Sequence, residues 1–151
     1  MKHSLVLVAL AGCAYQPGSF ASSQRAFPGQ RATAGCLDVA VERRTDLPIG
    51  PVVGYQFANR CDHPITVDLA AVAVVGRTVQ GTDVALRPYD PRAELHPVAL
   101  DGRSVGAELL AYPADRAIPQ VCVDIATLAH QGTPQWRCLA TTAATVVGSV
   151  P

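Results

Sequence analysis

The stretch CLDVAVERRTDLPIGPVVGYQFAN, residues 36–59, decides the fold. Leu37, Val39 and Val41 alternate with Asp38, Ala40 and Glu42. A period of two places the first set on one face of a strand and the second on the other, so this segment reads as a half-buried β-strand. The run TDLPIGP, residues 45–51, carries prolines and a glycine and reads as a turn. Val53, Tyr55, Phe57 and Asn59 then alternate with Gly54, Gln56 and Ala58, giving a second strand with Tyr55 and Phe57 as core candidates.

The same grammar continues downstream. NRCDHP at 59–64 is a turn, and Ile65, Val67, Leu69, Ala71 and Ala73 make a third, long strand. Gly76–Asp83 turns again before a fourth strand at Val84–Arg87, and PYDP at 88–91 is loop. Leu95–Leu100 contains Pro97 and reads as an edge strand, because proline cannot donate to a ladder. Asp101-Gly102 signals a type I′ hairpin leading into a strand over Val105–Tyr112. A strand at Pro119–Asp124, one or two helical turns over Ile125–His130, and strands at Gln135–Leu139 and Thr141–Val147 complete the chain.

Roughly seven to nine short strands separated by turns, without a long amphipathic helix, imply an all-β fold. The expected architecture is an antiparallel β-sandwich over residues 36–147 with a tail at 148–151; a small antiparallel β-barrel is the alternative. YQFANRCDHPITVDL, residues 55–69, resembles the adjoining B- and C-type strands of immunoglobulin-like bacterial envelope domains. That resemblance implies an immunoglobulin-like sandwich.

The totals agree. The chain has 151 residues, enough for one ordinary domain, and 12 Lys and Arg balance 12 Asp and Glu. A balanced charge argues against a nucleic-acid partner, which usually meets a net basic face. No apolar run reaches the roughly 18–20 residues a membrane-spanning helix needs.

The N-terminus reads MKHSLVLVALAGCAY. Lys2 opens a small positive region, Leu5–Leu10 is apolar, and small residues Ala11 and Gly12 precede Cys13, which is secretory-signal grammar. Leu10-Ala11-Gly12-Cys13 closely resembles the lipobox of bacterial lipoproteins. The resemblance implies a signal peptide over 1–12, cleavage before Cys13, acylation of Cys13, and membrane attachment through that lipid. Ala14 in place of Asp implies, by the same resemblance, the outer membrane of a Gram-negative cell envelope. Acyl chains contribute roughly 0.8 kcal/mol per buried CH₂, so two or three hold a domain durably. The competing reading makes residues 4–11 a first strand and Cys13 a buried thiol. Residues 14–35 are rich in Pro, Gly, Ser and Gln without apolar period and read as a flexible tether; behind a lipidated Cys13 it would span roughly 25 Å.

Besides Cys13 there are Cys36, Cys61, Cys122 and Cys138. An odd count in an exported protein needs explaining, and lipid on Cys13 leaves an even set that an oxidising compartment pairs. Of the possible connectivities, Cys36–Cys61 and Cys122–Cys138 each close a short loop across neighbouring predicted strands. Each would contribute about 3 kcal/mol by loop entropy. The rival, a zinc site, lacks CxxC or HxxxH spacing.

Catalytic motifs are thin. Gly102-Arg103-Ser104-Val105-Gly106 matches GxSxG, and Asp115, Asp124 and His130 follow in triad order. That elbow needs strand, sharp turn and helix, whereas residues 105–112 read as strand, so a small serine hydrolase using Ser104 and His130 stands as an alternative only. His63, His96 and His130 lie in separate turn-like contexts and read as surface histidines. Asp62, Asp90 and Asp101 suit turns, where a carboxylate bonds nearby backbone. Trp136, two residues before Cys138, is expected to pack on a disulfide in the core. The exposed-looking, Pro-rich loop Arg87–Arg92 admits a protease-inhibitor-like module. The primary expectation is a lipid-anchored, non-enzymatic binding or structural module for an envelope protein or polysaccharide, with no cofactor and no metal.

Overall fold

The computed structural model describes residues 29–44, 48 and 50–141. The lipobox-like stretch, Cys13 and most of the tether lie outside these residues, as does the strand expected beyond Thr141.

Among the described residues ten strands and one helical turn follow in order: β1 Gln30–Ala34, β2 Leu37–Arg43, β3 Val52–Asn59, β4 Ile65–Val67, β5 Ala73–Arg77, β6 Asp83–Leu86, β7 Val98–Leu100, β8 Val105–Ala111, β9 Gln120–Asp124, α1 Ile125–Leu128 and β10 Trp136–Ala140. Two four-stranded antiparallel sheets have the orders β1-β2-β3-β8 and β10-β9-β5-β6, and β4 pairs with β7 in a separate ribbon. Both large sheets end in edge strands and neither closes on itself, so the fold is an all-β sandwich and not a barrel.

Alternation decides which faces meet. Leu37, Val39 and Val41 of β2 and Val53, Tyr55 and Phe57 of β3 join Val74, Leu86, Val121, Val123 and Leu139 from the opposite sheet in one buried cluster. Tyr55 and Phe57 are core residues as expected, their rings stacked with centroids 6.1 Å apart. The Tyr55 and Tyr112 hydroxyls share a hydrogen bond inside this cluster.

Four expectations change. The tether is shorter, because Gln30–Ala34 pairs with β2 as β1. Its composition hides this, but Gly35 at φ 59° supplies the left-handed first position of a two-residue hairpin loop. The long strand expected over Ile65–Ala73 is broken: Asp68 Oδ1 accepts from the N–H groups of Ala70 and Ala71, both at 3.0 Å. This turn captures backbone donors that a ladder would need.

Asp101-Gly102 makes no type I′ hairpin. The left-handed residue is Arg103, at φ 59°, and β7 and β8 pair with β4 and β3 instead of each other. Gly102 is required by proximity: a Cβ there would lie 2.3 Å from the Asp62 carbonyl oxygen. Trp136 is 43% exposed and outside the core. It does share a face with Cys138, but the neighbouring residues Val121 and Val123 of β9 take the inward face, leaving Cys122, Cys138 and Trp136 on the outer one.

Candidate functional site

Both expected disulfides are present, Cys36–Cys61 and Cys122–Cys138. The second joins directly opposed residues of β9 and β10. Cys36, Cys61 and His63 bring their ligand atoms within 4.8 Å of one another. The two sulfurs are bonded to each other there, which removes the thiolates a metal would need.

Among the described residues no hydrogen bond links Ser104 with His130. Ser104 precedes β8, and its hydroxyl donates to the Asp101 carbonyl at 2.7 Å. His130 lies exposed just past α1, with φ 51°. The element directly after Ser104 is strand β8, so the strand-turn-helix that a nucleophile elbow requires is missing at this position. His63 and His96 are exposed, as expected of surface histidines.

The surface that does combine shape, apolar area and charge lies beside β8. The segment between β6 and β7 crosses near the end of this strand, and a groove of about 570 Å³ lies between the segment and Glu108. Leu69, Tyr89, Leu95 and Val98 form its apolar wall, and Arg92, Glu94, His96 and Glu108 its polar rim. Asp90 shapes the segment: Oδ1 accepts from Glu94 N–H at 2.9 Å and Oδ2 from Leu95 N–H at 3.0 Å. Ala93 is thereby held in the left-handed region at φ 53°. The second half of the Arg87–Arg92 loop thus enters a turn clamped by Asp90.

β8 forms one wall. Asn59 N–H donates to the Ser104 carbonyl and Tyr112 N–H to that of Pro51, which fixes the pairing phase with β3. Gly106, Glu108 and Leu110 therefore direct their main-chain groups at β3, while Val105, Ala107 and Leu109 direct theirs outward. Tyr89 N–H takes the carbonyl of Ala111 at 2.7 Å, covering one end of this edge. Val105 and Leu109 are exposed, at 58% and 60%.

Asn59 positions the other end. Fully buried, its Nδ2 donates to the carbonyls of His63, Leu100 and Asp101, and its Oδ1 accepts from Cys61 N–H at 2.9 Å. A single amide thus ties the chain after β3 to the end of β7 and the approach to β8. Outside this network, Arg103 Nε donates to Asp62 Oδ1 at 2.7 Å, and this hydrogen bond and positive charge lower the exposed Asp62 carboxyl from its ordinary pKa. Nothing in the alternation marks Asn59 as different from the apolar residues of its face. The available signal was a lone amide at an inward position, which burial obliges to find partners.

No protein-family model and no curated protein matches the chain. Among solved structures it is similar to the YjhA protein of Bacillus subtilis, with 10% sequence identity and a TM-score of 0.50, covering 74% of this chain and 96% of that chain. At that identity the likeness is one of fold, and it agrees with the all-β sandwich.

Proposed function

We propose that this chain is a lipid-anchored cell-envelope protein whose sandwich serves as a non-enzymatic binding or structural module. The observation that carries the reading is the cysteine ledger: four of the five cysteines are consumed in two disulfides, and the remaining one is Cys13 in LAGC. Disulfides persist in oxidising compartments, which agrees with export. By the lipobox resemblance Cys13 is acylated, and Ala14 directs the protein to the outer membrane. Non-enzymatic action is supported by Ser104, whose hydroxyl is engaged by the Asp101 carbonyl, and by a groove beside β8 suited to an envelope protein or polysaccharide.

Intact-mass analysis of the protein from an envelope fraction tests the anchor. The expected mass lacks residues 1–12, carries lipid, and shows four oxidised cysteines; Cys13→Ala releases the protein from membranes. A mass that retains Met1 or lacks lipid overturns it. A serine-reactive probe tests the other half, and labelling lost in Ser104→Ala would refute the non-enzymatic reading.

A further inference from the structure

We propose that the open edge of β8 is a self-association surface, on which a second copy of this chain adds its own β8 in antiparallel register. The proposal deepens the binding-module reading by naming an occupant, and it is independent of the anchor.

Three observations point to this strand. Val105, Ala107 and Leu109 turn their N–H and C=O groups outward, and among the described residues no hydrogen bond occupies them. The strand is seven residues long and free of proline, so two usual protections of an edge are missing. Val105 and Leu109 present exposed apolar side chains on the same outer face.

Charge selects the occupant and the register. Glu108 is the one charged residue of β8, and any partner strand must place something acceptable opposite it. A two-fold axis at Ala107 sets Val105 against Leu109 of the second copy and Glu108 against Gly106, so both apolar residues pair and no carboxylates meet directly. The outward-facing residues are then mutually hydrogen-bonded, giving about six main-chain bonds. Moving the axis to Glu108 opposes two like charges, which destabilises a sheet pair. Moving it to Leu109 runs into Ala111, whose carbonyl already accepts from Tyr89 N–H. Moving it to Gly106 sets Leu109 against Arg103, whose N–H already donates to the Cys61 carbonyl. The register centred on Ala107 therefore pairs both exposed apolar residues without opposing carboxylates, and the arrangement is the closed, isologous kind.

The test is sedimentation velocity on the full chain carrying Cys13→Ala, so that neither lipid nor a spare thiol drives association, over concentrations up to roughly millimolar. The expected result is a monomer–dimer equilibrium. Ala107→Pro removes an outward N–H that β3 does not use, and it should weaken dimerisation roughly tenfold or more with circular dichroism unchanged. If Ala107→Pro fails to fold, Leu109→Asp decides, because it alters only the exposed outer face and should weaken the dimer as strongly. A protein that is monomeric at every concentration overturns the proposal, as does a dimer that the deciding variant leaves intact. Neither result bears on whether Cys13 is acylated.

Discussion

The two long edges of the sandwich are built in opposite ways. Where β1 faces β10, side chains reach across to main-chain carbonyls: Gln30 Nε2 to Cys138 at 2.6 Å, Arg137 Nε to Arg31 at 2.9 Å, and Gln135 Nε2 to Thr33 at 3.2 Å. Where β8 ends the first sheet, the crossing chain contributes Tyr89 N–H to one carbonyl, and the residues before it stay uncovered. Every sheet edge carries unpaired donors and acceptors, and a protein must cover, charge or use them. This chain covers one edge with long polar side chains and leaves the other apolar. The difference leaves β8 as the edge with main-chain groups available for pairing.

The largest expected effect tests whether the sealed edge depends on β10 being held in place. Replacing Cys122 and Cys138 together by Ala should lower stability by about 3 kcal/mol, since the bridge closes a short loop with a sequence separation of 16. Urea unfolding measures this, and hydrogen exchange should show β10 amides losing protection before those of β8. Equal loss at both edges would erase the contrast.

Asn59→Ala should cost about 2–3 kcal/mol, because it leaves buried carbonyls and one N–H without partners. It should loosen the start of β8 and spare β1 and β10, which edge-resolved hydrogen exchange would detect.

The Tyr55–Tyr112 pair, set between the edges, should answer to alkaline pH. Burial, reinforced by the charge of Tyr112, raises the Tyr55 pKa well above its ordinary value, and burial raises that of Tyr112. The native state keeps these protons when the unfolded chain, at about pH 10, gives them up. Their stabilising contribution is therefore full below about pH 10 and falls as pH rises further. Tyr112→Phe should flatten that alkaline slope and cost about 1–2 kcal/mol at neutral pH, measured by thermal unfolding across a pH series.

The smallest effects compare the edges directly. Arg137→Met removes two guanidinium–carbonyl bonds, to Arg31 and to Trp136, and should cost about 1 kcal/mol, while Leu109→Ser at the exposed site should change stability by no more than about 0.5 kcal/mol. If Leu109→Ser proves the more damaging in denaturant titrations of dilute protein, the open edge is structural and not a surface for partners.

Much of this was legible because strand alternation and turn chemistry are local. The period of two across 37–59 identified β2 and β3 and their inward faces, and short loops between neighbouring strands favoured the two disulfide pairings that the structure holds. Local reasoning failed where a side chain reached for distant or competing backbone. Asp68 interrupts an unbroken alternation by capturing two N–H groups, and β1 hides in a Pro- and Ser-rich approach because its pairing, not its composition, orders it. Trp136 shows the limit most plainly: parity placed it beside Cys138, but parity cannot say which of the two faces is buried. The candidate site was the least legible, since the groove joins a loop after β6 to a strand that follows β7.

By itself the sequence determined the all-β class and the set of residues able to form the core, and it favoured one pairing of four cysteines among three, because each rests on spacing along the chain. Tertiary structure alone decided which strands became edges, that one edge is sealed and the other open, and that Asn59 ties the end of β3 to the start of β8. Those outcomes depend on how two sheets lie against each other. Contacts between residues about a hundred positions apart, such as Gln30 with Cys138, leave no periodic trace in the chain that makes them.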